Sequence, residues 1–411
     1  MIGIQKGRLI ALLFFVSTLL FTSCGGISPR HLRNLEGPGV EFQNKKVYEF
    51  KDAGIYFSNK FDGARLNEVS SLNDSTFVIR ITPENKPINP SPWYAFQIWT
   101  THATARPVHL VLDYGDSKHR YWPKWRASDY GKWKEVEALD LNEAQTQARF
   151  VVPVSTDRTW VSGHPLFNRD SILNWLDGLN QKPFVHLERI GKSTLGAHML
   201  GFHTEESPSK KAIVILGGQH PPEVTGFQAQ MAFVNFLLSD DPLAQSFRNE
   251  YQIVAVPWIN PDGNNQGHWR HNVAGVDLNR DWANFKQKET TNARDYIQSF
   301  VEKNGVTYDF GIDFHSTWFD VLYTNKPQPE YTTHRPGLMD AWILEWNKNL
   351  GELAVREQAS VPNLNLTKGW LLAQYQTEAV TYEVADTTPI HEIHHKAQEA
   401  AKALIRVLLE N

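Results

Sequence analysis

The chain has 411 residues, of which 41% are hydrophobic and 21% charged, and its formal net charge is −4. These fractions are ordinary for a folded globular protein and exclude disordered, collagenous and multi-span membrane proteins. The acidic balance argues against a nucleic-acid partner, since such proteins usually carry a basic surface. One cysteine, Cys24, cannot form an intrachain disulfide or a cysteine-based zinc cage, so any metal site must use His, Asp and Glu.

The first residues predict an export signal. Lys6 and Arg8 precede an apolar run over residues 9–21, which is too short to cross a bilayer comfortably. A basic start, an apolar stretch and small residues at its end are typical of a secretory signal. We therefore predict a signal peptide over residues 1–23 and an exported protein.

Cys24 lies where cleavage of that signal is expected. Residues 20–24 resemble the box at which bacterial lipoproteins are cleaved and lipidated, although Phe21 replaces the usual leucine. The resemblance implies a lipid on Cys24 and a membrane-anchored protein that faces the periplasm or the cell exterior. The alternative is a buried, inert cysteine that follows an uncleaved signal anchor.

A β-rich region follows the signal. Residues 24–45 are polar and predict a flexible tether. Residues 46–160 contain short segments that alternate apolar and polar residues, such as 76–81 and 108–112, and the turn residues between them predict a small β-sandwich domain. Aromatic residues in strands usually serve packing, but a sugar-binding platform is an alternative for Trp93, Trp99, Trp122, Trp125 and Trp133.

The remaining residues, 161–411, predict an α/β domain. Continuous apolar runs at 212–216, 253–257 and 308–314 are typical of strands that are covered on both faces. Helical patterns lie between them. We therefore expect a mixed, largely parallel central sheet with helices on both faces, and functional residues at the carboxyl ends of its strands.

Two of these strand ends carry candidate metal ligands. The run ending at Leu216 leads to His220 and Glu223, and the run 308–314 leads directly to His315. Two histidines and one carboxylate form the ligand set of many catalytic zinc sites and leave one position open for water. Each residue taken alone could equally be an ordinary surface or core residue.

The segment between these ligands supplies candidate anion-binding groups. Arg270, Asn279 and Arg280 follow the turn sequence Asn-Pro-Asp-Gly at 260–263. Guanidinium groups bind carboxylates in a bidentate fork, so these residues near a metal would make an anion site. The alternative is a turn and a surface helix with exposed arginines.

Five short segments together resemble the zinc carboxypeptidase family, the carboxypeptidase A-like group, in its bacterial and cytosolic-carboxypeptidase-like branches. The resemblance covers about residue 166 to the C-terminus, and the preceding β-rich domain suits the cytosolic-type branch. It implies the zinc carboxypeptidase fold. The segments, in order, are His220-x-x-Glu223, Asn-Pro-Asp-Gly at 260–263, Asp-Leu-Asn-Arg at 277–280, Phe-His-Ser at 314–316 and Thr-Tyr-Glu at 381–383.

The resemblance also implies roles for individual residues. His220, Glu223 and His315 would hold one Zn²⁺ ion. Glu383 would be the general base that takes a proton from the attacking water and returns it to the leaving amine. Arg270 would stabilise the oxyanion of the reaction. From the residues alone, Glu383 could instead be an acid at a strand end that faces solvent.

The implied substrate is a peptide with a free C-terminus, whose carboxylate Asn279 and Arg280 would clamp. The mobile tyrosine of carboxypeptidase A lies 22 residues before the catalytic glutamate, and Val361 occupies that position here. A pocket position lies 15 residues before it and is occupied by Lys368. A cation there predicts a preference for acidic terminal residues, unless a loop shift places Lys368 in solvent.

A second histidine motif near the C-terminus is a decoy. Residues 391–395 match H-E-x-x-H, which on a helix can bind zinc. However, Ile393 begins an apolar helical stripe that should face the core, which places His391 and His395 on the opposite, solvated side. Too few residues follow to build a separate cleft.

Three functions therefore compete. The leading prediction is an exported zinc metallocarboxypeptidase. An amidohydrolase of the aspartoacylase or succinylglutamate-desuccinylase type would share the zinc ligands, and a non-catalytic lipoprotein could use the aromatic-rich domain to bind glycan or peptide. The sequence does not choose between protein fragments and peptidoglycan peptides as the substrate.

Overall fold

The computed structural model describes residues 35–205 and 208–410, and these residues form three β-sheets with flanking helices. The predicted signal peptide and Cys24 lie outside the described residues. Among the described residues, none of the helices combines the length and the apolar character that crossing a bilayer requires.

The first eleven strands form two sheets that pack face to face, as the alternating pattern predicts. The strands are β1 (Val47–Phe50), β2 (Ile55–Ser58), β3 (Glu68–Asn73), β4 (Thr76–Arg80), β5 (Ala95–Thr100), β6 (Arg106–Asp113), β7 (Lys124–Arg126), β8 (Lys134–Glu135), β9 (Asp140–Leu141), β10 (Gln147–Val154) and β11 (Thr159–Ser162). The sheet orders are β1-β2-β5-β11-β7-β8 and β3-β4-β6-β10-β9.

Alternation along each strand explains the core of this sandwich. In β10 every second residue is buried while the residues between them contact solvent. The sandwich core includes Trp93, which is 5% exposed, whereas Trp122 on the outside is 42% exposed. Packing therefore accounts for Trp93 but not for every aromatic residue of the domain.

The third sheet and most helices belong to the predicted α/β domain. Its strands are β12 (Val185–Lys192), β13 (His198–Thr204), β14 (Lys211–Gly217), β15 (Gln252–Val256), β16 (Thr307–Thr317), β17 (Val321–Asn325), β18 (Arg356–Ser360) and β19 (Glu378–Ala385). Its helices are α1 (Arg169–Leu179), α2 (Val224–Leu237), α3 (Pro242–Glu250), α4 (Pro261–Gln266), α5 (Lys288–Asn304), α6 (Leu338–Asn347), α7 (Thr367–Tyr375) and α8 (Ile390–Glu410). Short 3₁₀ helices lie at Leu278–Arg280 and Gly351–Leu353.

The sheet order is β12-β13-β15-β14-β16-β19-β17-β18. Its centre is parallel, because β14 pairs in parallel with both β15 and β16, and β16 pairs in parallel with β19. Strand β14 contributes Ile213 and Ile215 to one hydrophobic core and Val214 and Leu216 to the other. Helices therefore cover both faces of the sheet, which confirms the predicted fold class.

The segment just before β1 corrects part of the predicted tether. The backbone N–H of Gly39 donates to Ala274 O at 2.8 Å, and Gln287 Nε2 donates to Glu36 O at 2.6 Å. Gln43 Nε2 donates to Gln266 O at 2.9 Å. From Glu36 onwards the chain is thus hydrogen-bonded to the α/β domain. These hydrogen bonds show that residues 36–45 belong to the folded structure and do not form a flexible tether.

Candidate metal centre and active site

Three neighbouring parallel strands of the third sheet, β14, β16 and β19, end at the same edge. Gly218 follows β14 with a φ of +66°, a conformation that favours glycine, and it turns the chain towards His220. His315 lies near the end of β16, and Glu383 lies directly opposite it on β19. Residues that pair across parallel strands point to the same face, so the sheet register places these side chains together.

Helix α2 brings the third metal ligand to this edge. Glu223 immediately precedes α2, and Gly226 in its first turn packs against the backbone of β16. A Cβ atom on Gly226 would lie 2.3 Å from His315 O, so only glycine permits this approach. The Gly226 N–H also donates to Ser316 Oγ at 2.7 Å. This contact fixes the start of the helix beside His315.

The three predicted ligands converge. His220 Nδ1 lies 2.8 Å from Glu223 Oε1, and His315 Nδ1 lies 2.7 Å from Glu223 Oε2 and 3.1 Å from His220 Nδ1. All three residues are buried. Among the described residues they are the group of His, Cys, Asp or Glu side chains whose donor atoms could hold a metal ion. Two imidazoles and one carboxylate suit zinc.

The second nitrogen of each histidine contacts a carboxylate. His220 Nε2 lies 3.0 Å from Asp277 Oδ1, and His315 Nε2 lies 2.9 Å from Asp313 Oδ2. Such carboxylate partners fix the ring orientation and tautomer and leave the other nitrogen for the metal. The residues present therefore fit a zinc ion bound through the two Nδ1 atoms and Glu223.

The two histidines favour the ionised form of Glu223, one of the predicted metal ligands. Burial alone would raise the pKa of Glu223, but His220 and His315 outweigh burial and hold the pKa well below its usual range. A carboxylate that stays deprotonated is available to a cation across the neutral pH range.

Glu383 has the environment of a general base. Its Oε2 atom is buried and has no hydrogen-bond partner among the described residues. Burial raises the pKa of Glu383 to about 7, and the opposing influence of His315 is smaller. A carboxyl group poised near neutrality beside a metal site is suited to move a proton. Glu383 as a whole is half-buried, with its Oε2 atom away from solvent.

Arg270 is joined to the metal ligands through Asp277. Its Nε donates to Asp277 Oδ2 at 2.7 Å, while Oδ1 of the same carboxylate contacts His220. The side chain of Arg270 is 10% exposed. Asp277 therefore sets the position of a ligand and of the predicted oxyanion group together.

The two residues of the predicted carboxylate clamp differ in their surroundings. The side chain of Arg280 is 52% exposed, and its NH1 donates to Asn279 O at 2.7 Å. Asn279 is buried, and its Oδ1 accepts hydrogen bonds from the N–H and the hydroxyl of Thr367 at 3.1 and 3.2 Å. Its Nδ2 lies 3.3 Å from His315 Nε2. Arg280 is thus open to a substrate anion, whereas Asn279 chiefly contacts protein groups.

Lys368 lies close to the site, at the start of α7, but its ammonium group faces protein acceptors. It is 2% exposed, and its Nζ donates to Thr324 O at 2.9 Å, Asn325 Oδ1 at 2.8 Å and Ser360 Oγ at 3.4 Å. Burial lowers the pKa of Lys368 to about 8. The three donors of this cation are therefore occupied within the chain.

Sequence reasoning gave no role to three residues that orient the site. Asp277 lies inside the Asp-Leu-Asn-Arg segment at 277–280. Asp313 lies two residues before His315, and because side chains of a strand alternate between its faces, the sequence could have placed both on the same face. Gln219 donates to Asp313 Oδ2 at 2.7 Å and accepts from Trp282 Nε1 at 2.8 Å. Only the tertiary contacts reveal this last residue.

The H-E-x-x-H segment behaves as expected for a decoy. It opens α8, where Ile393 is buried and both His391 and His395 are exposed. The apolar stripe of the helix packs into the core. The two exposed histidines take no part in the site described above.

Comparison with known proteins points to the same family. Residues 172–317 match the family model of the zinc carboxypeptidases, Peptidase_M14, and this segment contains the three candidate metal ligands. This part of the chain is therefore similar to a zinc carboxypeptidase domain. Cytosolic carboxypeptidase 3 of Bos taurus is 22% identical over 300 residues, which cover 64% of this chain and 30% of that protein. Cytosolic carboxypeptidase 2 of Xenopus tropicalis is 42% identical over 73 residues, or 18% of this chain and 8% of that protein. The chain thus spans about a third or less of the length of these two relatives.

Solved structures share the fold of both domains of this chain. A metallo-carboxypeptidase from Burkholderia cenocepacia has a TM-score of 0.72 at 18% identity, covering 87% of this chain and 99% of that one. A metallo-carboxypeptidase from Pseudomonas aeruginosa, in complex with (2-guanidinoethylmercapto)succinic acid, has a TM-score of 0.69 at 19% identity, covering 86% and 99%. The sandwich and the α/β domain therefore recur together.

Proposed function

We propose that this protein is a zinc-dependent carboxypeptidase that hydrolyses the C-terminal peptide bond of peptides. The convergence of His220, Glu223 and His315 beside Glu383, whose Oε2 atom is buried without a partner among the described residues, carries this proposal. A protein that only binds peptide or glycan has no use for such a carboxylate oxygen next to a metal site.

Each residue of the site has a separate role in the proposed reaction. A zinc ion held by His220, Glu223 and His315 would supply a Lewis acid and lower the pKa of water towards neutrality. Glu383 accepts a proton from the attacking water and delivers it to the leaving amine. Arg270 donates hydrogen bonds to the oxygen on which negative charge develops, and this stabilises the transition state more than the substrate.

Arg280 makes the proposed enzyme an exopeptidase. Its guanidinium is half exposed near the metal site and can form a bidentate pair with the terminal carboxylate of a peptide. An internal peptide bond offers no such charge. Asn279 supports this site by holding Thr367 in place.

The decisive experiment combines metal analysis with mass spectrometry of a peptide mixture before and after incubation. We expect one zinc per chain and stepwise loss of C-terminal residues, both abolished by a chelator and by His220→Ala. C-terminally amidated copies of the same peptides are the matched substrate control and should stay intact. Cleavage of small acylated amino acids alone would identify an amidohydrolase, and retention of zinc without any cleavage would identify a binding protein.

We further propose that the terminal-residue preference depends on Lys368. An acidic terminal side chain would have to replace one of the three protein acceptors that now surround the ammonium group. Release of C-terminal Glu and C-terminal Lys from otherwise identical peptides tests this, with Lys368→Met as the variant. Faster release of Glu, lost in the variant and above a pH of about 8 where Lys368 deprotonates, is expected. Equal rates would assign Lys368 a structural role.

The cellular location is also a proposal and depends on the N-terminal pattern. Lys6, Arg8, the apolar run and Cys24 support export followed by lipid anchoring. Expression of the full chain in a bacterial host, followed by separation of membrane and soluble fractions, tests it. Wild type should enter the membrane fraction and Cys24→Ser should leave it. The same distribution for both chains would contradict lipidation.

A further inference from the structure

The segment that carries Arg270 belongs to the α/β domain by sequence but packs against the sandwich. We call residues 267–276 the Arg270 loop. Trp269 within it is fully buried and is part of the sandwich core. Its indole N–H donates to Trp93 O at 3.1 Å. The neighbour of the predicted oxyanion group is thus enclosed by the other domain.

One carboxylate of the sandwich holds the backbone at the centre of this loop. Glu84 Oε2 accepts a hydrogen bond from Trp269 N at 2.7 Å, and Oε1 accepts from Arg270 N at 3.0 Å and from His271 N at 2.6 Å. Glu84 is 0% exposed. Three consecutive amides directed at one buried anion fix the local backbone, because each of them would otherwise be buried without a partner.

The surroundings keep Glu84 charged. Burial alone would raise its pKa, but His268, Arg65 and the loop amides lower it below the usual value. Arg65 is itself buried and fixed, with Nε and NH2 both donating to Thr82 O. Arg65 is therefore held within the sandwich, beside the charged carboxylate of Glu84.

The position of the Arg270 guanidinium depends on two anchors. Asp277 binds its Nε within the α/β domain, and Glu84 binds its backbone N–H from the sandwich. An oxyanion donor must lie within a few tenths of an ångström of its working position, since small displacements cost large factors in rate. Loss of either anchor would let the side chain move.

We propose that Glu84 of the β-sandwich is a positioning residue for Arg270, so that the sandwich completes the active site of the α/β domain. This inference rests on the proposed carboxypeptidase function. It assigns the N-terminal domain a role in the chemistry that acts through Arg270.

The test compares Glu84→Gln with Gln43→Ala, measured in the full chain. Glu84→Gln keeps the shape but removes the charge and at least one of the three acceptor contacts. We expect kcat to fall roughly tenfold to a hundredfold with KM and zinc content unchanged, since an oxyanion contact acts in the transition state. Gln43→Ala removes a hydrogen bond to Gln266 O in the same interface, together with hydrogen bonds to Ala64 O and from Leu66 N in the sandwich. It should leave kcat near wild type, because none of these contacts involves residues 269–271.

A double-mutant cycle separates positioning from general damage. In an Arg270→Ala background, Glu84→Gln should cause little further loss of kcat, because its effect passes through Arg270. Multiplicative losses from the two substitutions would overturn the proposal. If Glu84→Gln fails to fold, Glu84→Asp keeps the charge and shortens the reach, and wild-type kcat in that variant would overturn it as well.

Hydrogen exchange makes the inference independent of the activity assay. The amides of 269–271 should exchange faster in Glu84→Gln or Glu84→Asp than in wild type, while those of β16 should not change. An inactive wild-type chain would refute the proposed carboxypeptidase function and, with it, a role for Glu84 in catalysis. Unchanged exchange at 269–271 would overturn the inference even if wild type is active.

Discussion

The two halves of the candidate site are built differently. One half contains His315 and Glu383, which pair across neighbouring parallel strands, and His220 on the turn that follows β14. The other half, with Arg270 and Asp277, lies on loops outside the sheet. The first is held by backbone hydrogen bonds within the α/β domain. The second is held by side-chain contacts, including one from a separate domain.

This difference agrees with the proposed role of the β-sandwich beside the α/β domain. The sheet brings His315 and Glu383 together by its register, because strand ends converge by topology. A loop has no such register and needs fixed partners. Glu84 and the core around Trp269 supply them. The sandwich also reaches the sheet half, where Arg120 Nε donates to Asp386 Oδ2 at 2.6 Å.

The largest effect should come from the base in the sheet half. Glu383→Gln removes the proton acceptor but keeps the size of the side chain, so kcat should fall by about 10²–10⁴ while zinc stays bound. Steady-state kinetics and metal analysis on the same preparation check this. Retention of substantial activity would show that another group moves the proton.

The central residue of the loop half should have the next largest effect. Arg270→Ala should lower kcat by about 10²–10³ with zinc content unchanged, because the group acts on the developing negative charge and not on the metal. The same two measurements apply. A loss of zinc in this variant would mean that the two halves are not separable.

The two carboxylates that contact the histidines, those of Asp277 and Asp313, test whether the two halves of the site are separate. Asp277→Asn and Asp313→Asn should each weaken zinc binding by roughly tenfold to a hundredfold, since each removes a partner of a ligand histidine. Asp277→Asn should also lower kcat at saturating zinc, because Arg270 loses its partner. Chelator competition followed by kinetics at saturating zinc measures both effects. Equal kcat in the two variants would contradict a special role for Asp277.

The smallest effect is expected outside both halves. The double variant His391→Ala and His395→Ala changes two exposed residues of α8 and should leave kcat and the zinc content as in wild type. A drop in zinc content would give the H-E-x-x-H segment a function that its exposure argues against.

The sequence by itself determined the fold class, because apolar runs define buried strands and strand ends define where side chains converge. It also led to His220, Glu223 and His315 as candidate ligands, through the strand ends together with the family resemblance. The role of Glu383 came from the resemblance and stays a prediction. The rejection of the H-E-x-x-H segment follows from helical periodicity in the same way. Asp277 and Asp313 lay within reach of such reasoning, since both sit beside recognised residues.

Only the tertiary structure decided how the loop half is held. Glu84 and Arg270 are 186 residues apart, and no period or motif connects them. Lys368 is predicted from the sequence as a pocket cation, and only the structure reveals the three protein acceptors around its ammonium group. The stretch 36–45 resembles a tether until its hydrogen bonds to the α/β domain are known. Hydrogen bonds between distant segments depend on how domains pack, and local sequence carries no record of that packing.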